Sequence, residues 1–144
     1  MISVMIKPEY KHSDITEAVI GCAMKVHSKL GRGFPECIYQ RALAIELEKI
    51  KMPYQREQEW KVYYEGQLIG KRRVDFVIMD RVLVDLKAIS NFDPSDYNQI
   101  LNYLEAFNME IGLLINFGKK SLEFKRFTNN DWKSTPQNKS DKIQ

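Results

Sequence analysis

The sequence predicts an α/β domain with a central mixed sheet flanked by helices, in the order α-α-β-β-β-α-β-β, on three observations. Apolar residues recur at three and four from Asp14 to about Ile50, at two from Trp60 onward, and at three and four again after Pro94. Two stretches, Val82–Leu86 and Ile111–Phe117, are apolar almost throughout, as strands covered by helices on both faces are. A chain of 144 residues is one ordinary domain, able to bury roughly two-thirds of its unfolded surface without a disulfide or structural metal.

The first helix is expected from Asp14 to Leu30, with Ile15, Val19, Cys22, Ala23 and Val26 inward, Asp14 and Glu17 as a capping box, and Gly31 as the stop. A glycine-rich turn, Gly31–Phe34, leads to Pro35, which opens a second helix carrying Ile38, Ala42, Ile45 and Leu47 to about Ile50. Trp60, Val62 and Tyr64 alternate with polar neighbours, Glu65-Gly66 turns the chain, and Leu68-Ile69 begins the return strand, with a bulge expected at Gly70. That strand runs through Arg73–Ile78, turns at Met79–Arg81 and is followed by Val82–Lys87. Asp93 as N-cap, Pro94 at the first position and Asp96 in the first turn start a third helix with Tyr97, Ile100, Leu101 and Leu104 inward. Ile111–Phe117 reads as a buried parallel strand and Leu122–Phe127 as an edge strand. The domain is expected to span residues 1–128, with 129–144 as a mobile polar tail bearing a lone Trp132.

Composition excludes several classes. Cys22 and Cys37 lie fifteen positions apart with no CxxC or Cys/His array, which argues against a disulfide framework or zinc module and for a reducing, cytoplasmic setting. No run of eighteen apolar residues exists, and Met1–Tyr10 has no cleavage signature, so neither a membrane span nor a signal peptide is expected. The net charge of +3 does not itself identify a nucleic-acid partner, although Lys71-Arg72-Arg73, Lys119-Lys120 and Lys125-Arg126 form basic clusters.

The chemistry concentrates in Asp75, Asp85 and Lys87. Two carboxylates and a lysine on neighbouring strands can converge at the rim of a sheet, and an acid in an apolar strand is expensive unless it is used or paired. Hard divalent cations take oxygen ligands and keep waters and phosphate oxygens, so Asp75, Asp85 and the Leu86 carbonyl form a candidate ligand set. Lys87 shares a face with Asp85, where it would position water or stabilise phosphate charge. A buried Asp75–Lys87 ion pair is the bland alternative, and it leaves Asp85 as an additional acid without compensation. Glu36 and Tyr39 share a face in the second helix's first turn; Tyr39 divides between packing and a substrate contact. Arg73 shares the Asp75 face and is a candidate for phosphate. His27 suits a helix C-terminus, and His12 is expected to be solvated.

The pattern Asp75…Asp85-x-Lys87 resembles the PD-(D/E)xK signature of the restriction-endonuclease-like superfamily, with Val74 where the motif name has proline. Gly33-Phe34-Pro35-Glu36-Cys37-Ile38-Tyr39 resembles the bacterial GxxExxY protein family, as do Val26-His27, Gln99…Tyr103-Leu104 and Ile111–Gly118 with its Asn116-Phe117-Gly118. The resemblance covers roughly Asp14 to Phe127. It implies a restriction-endonuclease-like core and a Mg²⁺- or Mn²⁺-dependent nuclease acting on DNA, or failing that RNA. It also implies a catalytic set of Glu36, Asp75, Asp85, Lys87 and Gln99, with metal at Asp75, Asp85, Glu36 and Leu86. The alternative is a catalytically silent nucleic-acid-binding or regulatory module that keeps the fold. With so little chain beyond the core, sequence specificity would call for a homodimer or a protein partner.

Overall fold

The computed structural model describes residues 12–134, and the start of the chain, Met1–Tyr10, lies outside them. The elements follow the expected order: α1 (Ser13–Leu30), α2 (Glu36–Lys49), β1 (Tyr54–Tyr64), β2 (Gln67–Ile78), β3 (Val82–Lys87), α3 (Pro94–Ala106), β4 (Ile111–Asn116) and β5 (Glu123–Thr128). The strands form one mixed sheet in chain order. Only β3 and β4 are parallel, joined by a crossover through α3, and the other neighbours are antiparallel.

α1 and α2 cover one face of the sheet, packing Val19, Val26, Leu43 and Leu47 on Phe76, Val84, Leu86 and Ile115. α3 covers the other, where Ile100, Leu104 and Phe107 meet Trp60, Val77, Leu83 and Leu114. β3 and β4 therefore have helices on both sides, which is why they are apolar nearly throughout. Among the described residues no helix is long and apolar enough to cross a membrane.

Local details depart from the sequence reading where tertiary contacts prevail. α1 has no capping box: it starts at Ser13, and its N-cap, His12, has a left-handed φ of 57° and no side-chain bond to the helix. His12 is also not simply solvated, since its Nε2 lies 3.3 Å from Glu110 Oε1. In α2 the inward face is Tyr39, Gln40, Leu43, Glu46 and Leu47, and Ile45 is 54% exposed. The face is displaced because two of its members are polar and carry no hydrophobic signal. Glu46 is accommodated by Lys25 at 3.5 Å and Lys49 at 3.1 Å. In α3 Leu101 faces out and Tyr103 takes the buried position, while the expected cap forms: Asp93 Oδ1 accepts from Ser95 N and Asp96 Oδ2 from Asp93 N.

The β1–β2 turn has left-handed φ at both Glu65 (48°) and Gly66 (78°), the primed geometry that matches strand twist. The bulge falls on Ile69, one residue before Gly70, because Val62 pairs with Gly70 and Tyr63 with Leu68. After β5 the chain stays attached to the body. Asn129 is buried and donates to the Leu104 and Met109 carbonyls, and Lys133 exchanges two hydrogen bonds with Asn108. Contacts with the body thus continue past Thr128 to Lys133, and 135–144 of the expected tail lie outside the described residues.

Candidate active site

The site forms where β2 separates from β3. Their ladder ends at Phe76–Val84, so the next two residues, Asp75 and Asp85, stand at the fork. Asp75 substitutes for the missing ladder: its Oδ2 accepts from Leu86 N at 2.7 Å, and its Oδ1 accepts from Gln40 Nε2 at 2.8 Å. Asp75 therefore lies between strands, reached by α2 from one face and bordered by Asp85 on the other. The N–H and C=O of one strand residue point to the same neighbour, so the Leu86 carbonyl also lies on the Asp75 side.

Asp85 is 7% exposed, and its Oδ2 has no hydrogen-bond partner. Burial pushes its pKa up to about 8, helped by a hydrogen bond to Asp75, by Asp75's charge and by Glu36, with Lys87 opposing. Burial thus favours the protonated form of Asp85 at neutral pH. Lys87 Nζ lies 3.7 Å from the unpartnered Asp85 Oδ2, donates to Gln99 Oε1 at 3.1 Å, and stands 3.9 Å from Asp96 Oδ1. The ammonium is aimed at the acids by two groups spaced three apart on α3.

Tyr103, four residues after Gln99, borders the same cluster. Burial raises its phenol pKa, and so does the charge of Asp85, while Arg72 and Lys87 oppose the rise. Glu36 belongs to the electrostatic neighbourhood but not to the contact set. It is exposed, one helical turn before Gln40, and its carboxyl is held above the usual range by desolvation and then by Asp75. Among the described residues no group of three acid, histidine or cysteine side chains is placed to hold a metal ion, and Glu36 stands beside the aspartates as an electrostatic neighbour of both.

Three other sequence candidates have different surroundings. Tyr39 is fully buried, stacked on Phe117 at 4.6 Å, and its hydroxyl donates to Gly31 O at 2.6 Å and accepts from Phe34 N at 3.2 Å. Those bonds tie down the glycine-rich turn and leave no face for substrate. His27 closes the other end of this stack, donating from Nε2 to Lys119 O at 2.8 Å. Arg73 is exposed opposite Glu59 in the β1–β2 register, whereas it is its neighbour Arg72 whose charge reaches Tyr103.

Asn116-Phe117-Gly118 is the floor under Lys87. Asn116 exchanges two hydrogen bonds with the Ile89 backbone at 3.0 Å, accepts from Gly118 N and donates to Glu123 Oε1. A Cβ at Gly118 would collide with the Ile89 backbone and lie 2.7 Å from Ala88 C. Lys87 O in turn accepts from Phe117 N at 2.8 Å. The motif fixes where the chain turns after Lys87.

Gln40 and Tyr103 are the participants that the sequence reading misses. Each stands four positions after a residue it did single out, Glu36 and Gln99, and a one-turn extension of those helical faces would find both.

The donor set suits a hard cation. It is all oxygen, with two adjacent carboxylates, one of them carrying an unpartnered buried atom, and a carbonyl on the same side. Magnesium typically uses one or two carboxylates and takes its remaining ligands from water and phosphate, so a third protein acid is not required.

The chain matches the family model of the PD-(D/E)XK nuclease superfamily over residues 13–127. Among solved structures it is similar to SSO0001 at 15% identity and a TM-score of 0.45, over 79% of this chain and 65% of that one. This chain therefore spans about 65% of that protein's length. No curated protein matches it.

Proposed function

Because the chain belongs to the PD-(D/E)XK nuclease superfamily, we propose that it is a metal-dependent nuclease that hydrolyses phosphodiester bonds in DNA, with Asp75, Asp85 and Lys87 at its centre. The observation that carries this reading is the buried, unpartnered Asp85 Oδ2 between Asp75 and the Lys87 ammonium. An arrangement serving stability alone would not leave that atom without a hydrogen bond.

Asp75, Asp85 and the Leu86 carbonyl would hold Mg²⁺ or Mn²⁺, with Glu36 reaching the outer sphere through water. The bound cation would polarise the phosphate and lower the pKa of a coordinated water. The protein's own groups supply the rest. Gln40 and Leu86 N fix the rotamer of Asp75; Gln99 and Asp96 hold the Lys87 ammonium where it can position the nucleophile and stabilise charge on the phosphate. Asp85 has to lose its proton before it can act as a ligand, so cation affinity would rise with pH toward about 8. The free thiols Cys22 and Cys37 suit a reducing, cytoplasmic setting.

A second reading has its own support. Both Asp75 oxygens are already hydrogen-bonded inside the fold, and Glu36 does not close the cluster, as expected of a module that binds nucleic acid without turnover. The deciding experiment is cleavage of labelled single-stranded, double-stranded and branched DNA, and of RNA, with Mg²⁺ or Mn²⁺, by wild type and by Lys87→Ala purified identically. Cleavage by wild type alone establishes the nuclease and its substrate class. Equal cleavage by both exposes a contaminant, and binding without cleavage establishes the silent module.

A further inference from the structure

Only three residues of β2, Phe76, Val77 and Ile78, pair with β3, whereas the whole strand from Gln67 onward pairs with β1. The outer part of the β1–β2 hairpin is therefore a two-stranded ribbon that runs outward from Asp75. From Gln67 to Asp75 it extends roughly 26 Å at strand rise, about the length of seven to eight base pairs.

Its composition is unusual for an element with no further role. Between residues 59 and 73 there are four cationic side chains against two acidic ones. Lys61 and Lys71 are directly opposite each other, a like-charge pairing that lowers the stability of a ribbon. Glu59 relieves it only in part, at 3.4 Å from Lys71 Nζ. Arg72 projects on the other face, its Nη1 bonded to Lys71 O at 2.8 Å, and its charge reaches Tyr103 at the edge of the aspartate cluster. The tip is apolar and exposed: Tyr64 51%, Leu68 49% and Ile69 61%. Ile69, the bulged residue, is the most exposed large apolar side chain among the described residues.

We propose that this ribbon, residues 59–73, is a second nucleic-acid contact that grips a double-stranded segment beside the aspartate cluster. The inference rests on the nuclease reading for its ligand and extends it to a substrate class: a duplex flanking the cut. A two-stranded ribbon fits the major groove of a duplex, and cations on both faces suit an element lying between two rows of phosphates. The opposed lysines become favourable once phosphate lies between them. Leu68 and Ile69 at the tip are the kind of apolar wedge that unstacks a base step.

The test is fluorescence anisotropy with full-length protein, a labelled duplex of about 20 base pairs and the matching single strand, across a salt series without divalent cation so that no cleavage occurs. Lys61→Ala/Lys71→Ala/Arg72→Ala is expected to weaken duplex binding about ten- to a hundred-fold and to flatten the slope of log K against log salt by about 2 to 3. Ile69→Ser should weaken it about three-fold with the slope unchanged. Lys61→Arg/Lys71→Arg should bind like wild type. Thermal melts check folding, and all the substituted side chains are exposed. The proposal is overturned if the triple variant binds duplex like wild type, if wild type prefers the single strand, or if these substitutions turn a dimer into a monomer and so make the ribbon a contact between copies. Asp85→Asn separates the two readings. It should abolish cleavage and keep ribbon-dependent duplex binding, so a wild type that binds through the ribbon without cutting refutes the nuclease and leaves this inference standing.

Discussion

The two faces of the sheet are built to different rules. On the α1/α2 face the core is continuous and apolar, and its buried polar side chains have partners: Gln40 on Asp75, Glu46 on Lys25 and Lys49. On the α3 face the apolar cluster adjoins Asp85 and Lys87, and two buried polar atoms, Gln58 Oε1 and Asp85 Oδ2, have no hydrogen bond. β3 serves both faces, since alternation along it sends Val84 and Leu86 to one side and Asp85 and Lys87 to the other. One face contributes the stability that lets the other hold an energetically expensive carboxyl.

Substitutions that break this contrast should differ in size and in sign. Phe76→Ala, on the apolar face, should cost about 3–5 kcal/mol in equilibrium denaturation. Asp85→Asn should do the opposite, stabilising the fold on the order of a few kcal/mol at pH 8 and above while abolishing cleavage. The sign follows from linkage. The folded protein keeps a proton on Asp85 up to about pH 8, whereas the unfolded chain releases it near 4, so wild-type stability falls as pH rises across that window. The asparagine variant should lose that slope, and a melting temperature equally pH-dependent in both proteins would refute the assignment. Added Mg²⁺ should raise the wild-type melting temperature above pH 8 and leave Asp85→Asn unmoved.

Gln40→Ala sharpens the comparison, because Gln40 reaches Asp75 from the apolar side. It should cost about 1.5–3 kcal/mol, as a hydrogen bond to a charged partner does, and weaken divalent-cation binding measured by calorimetry. Unchanged cation affinity would mean that Asp75 needs no second support. The smallest effect is expected for Tyr39→Phe, about 1 kcal/mol for a lost hydroxyl bond. Its KM should stay at the wild-type value, and a raised KM would restore Tyr39 as a substrate contact.

How readable each part was in the sequence follows from the range of its interactions. The α3 cap was visible because Asp93, Pro94 and Asp96 act within four residues of one another. The capping box expected at Asp14 used the same residue types and did not form, because the chain enters α1 from a left-handed His12. The inward face of α2 is not legible in the sequence because Gln40 answers to Asp75, thirty-five positions away, a partner no local period encodes. Strand alternation points to Arg73, whereas the charge that acts on Tyr103 at the edge of the cluster is that of its neighbour Arg72.

By itself the sequence determined the order of the elements, the burial of β3 and β4 and the spacing Asp85-x-Lys87, because all three are written in periods of two and 3.6 along a continuous chain. Only the tertiary structure decided that Asp75 would fill the fork between β2 and β3, that Gln40 would bond to it while Tyr39 was buried under Phe117, and that the outer part of the β1–β2 ribbon would have no third strand beside it. Those outcomes depend on where one strand stops pairing with the next, and pairing is a competition among segments distant in sequence.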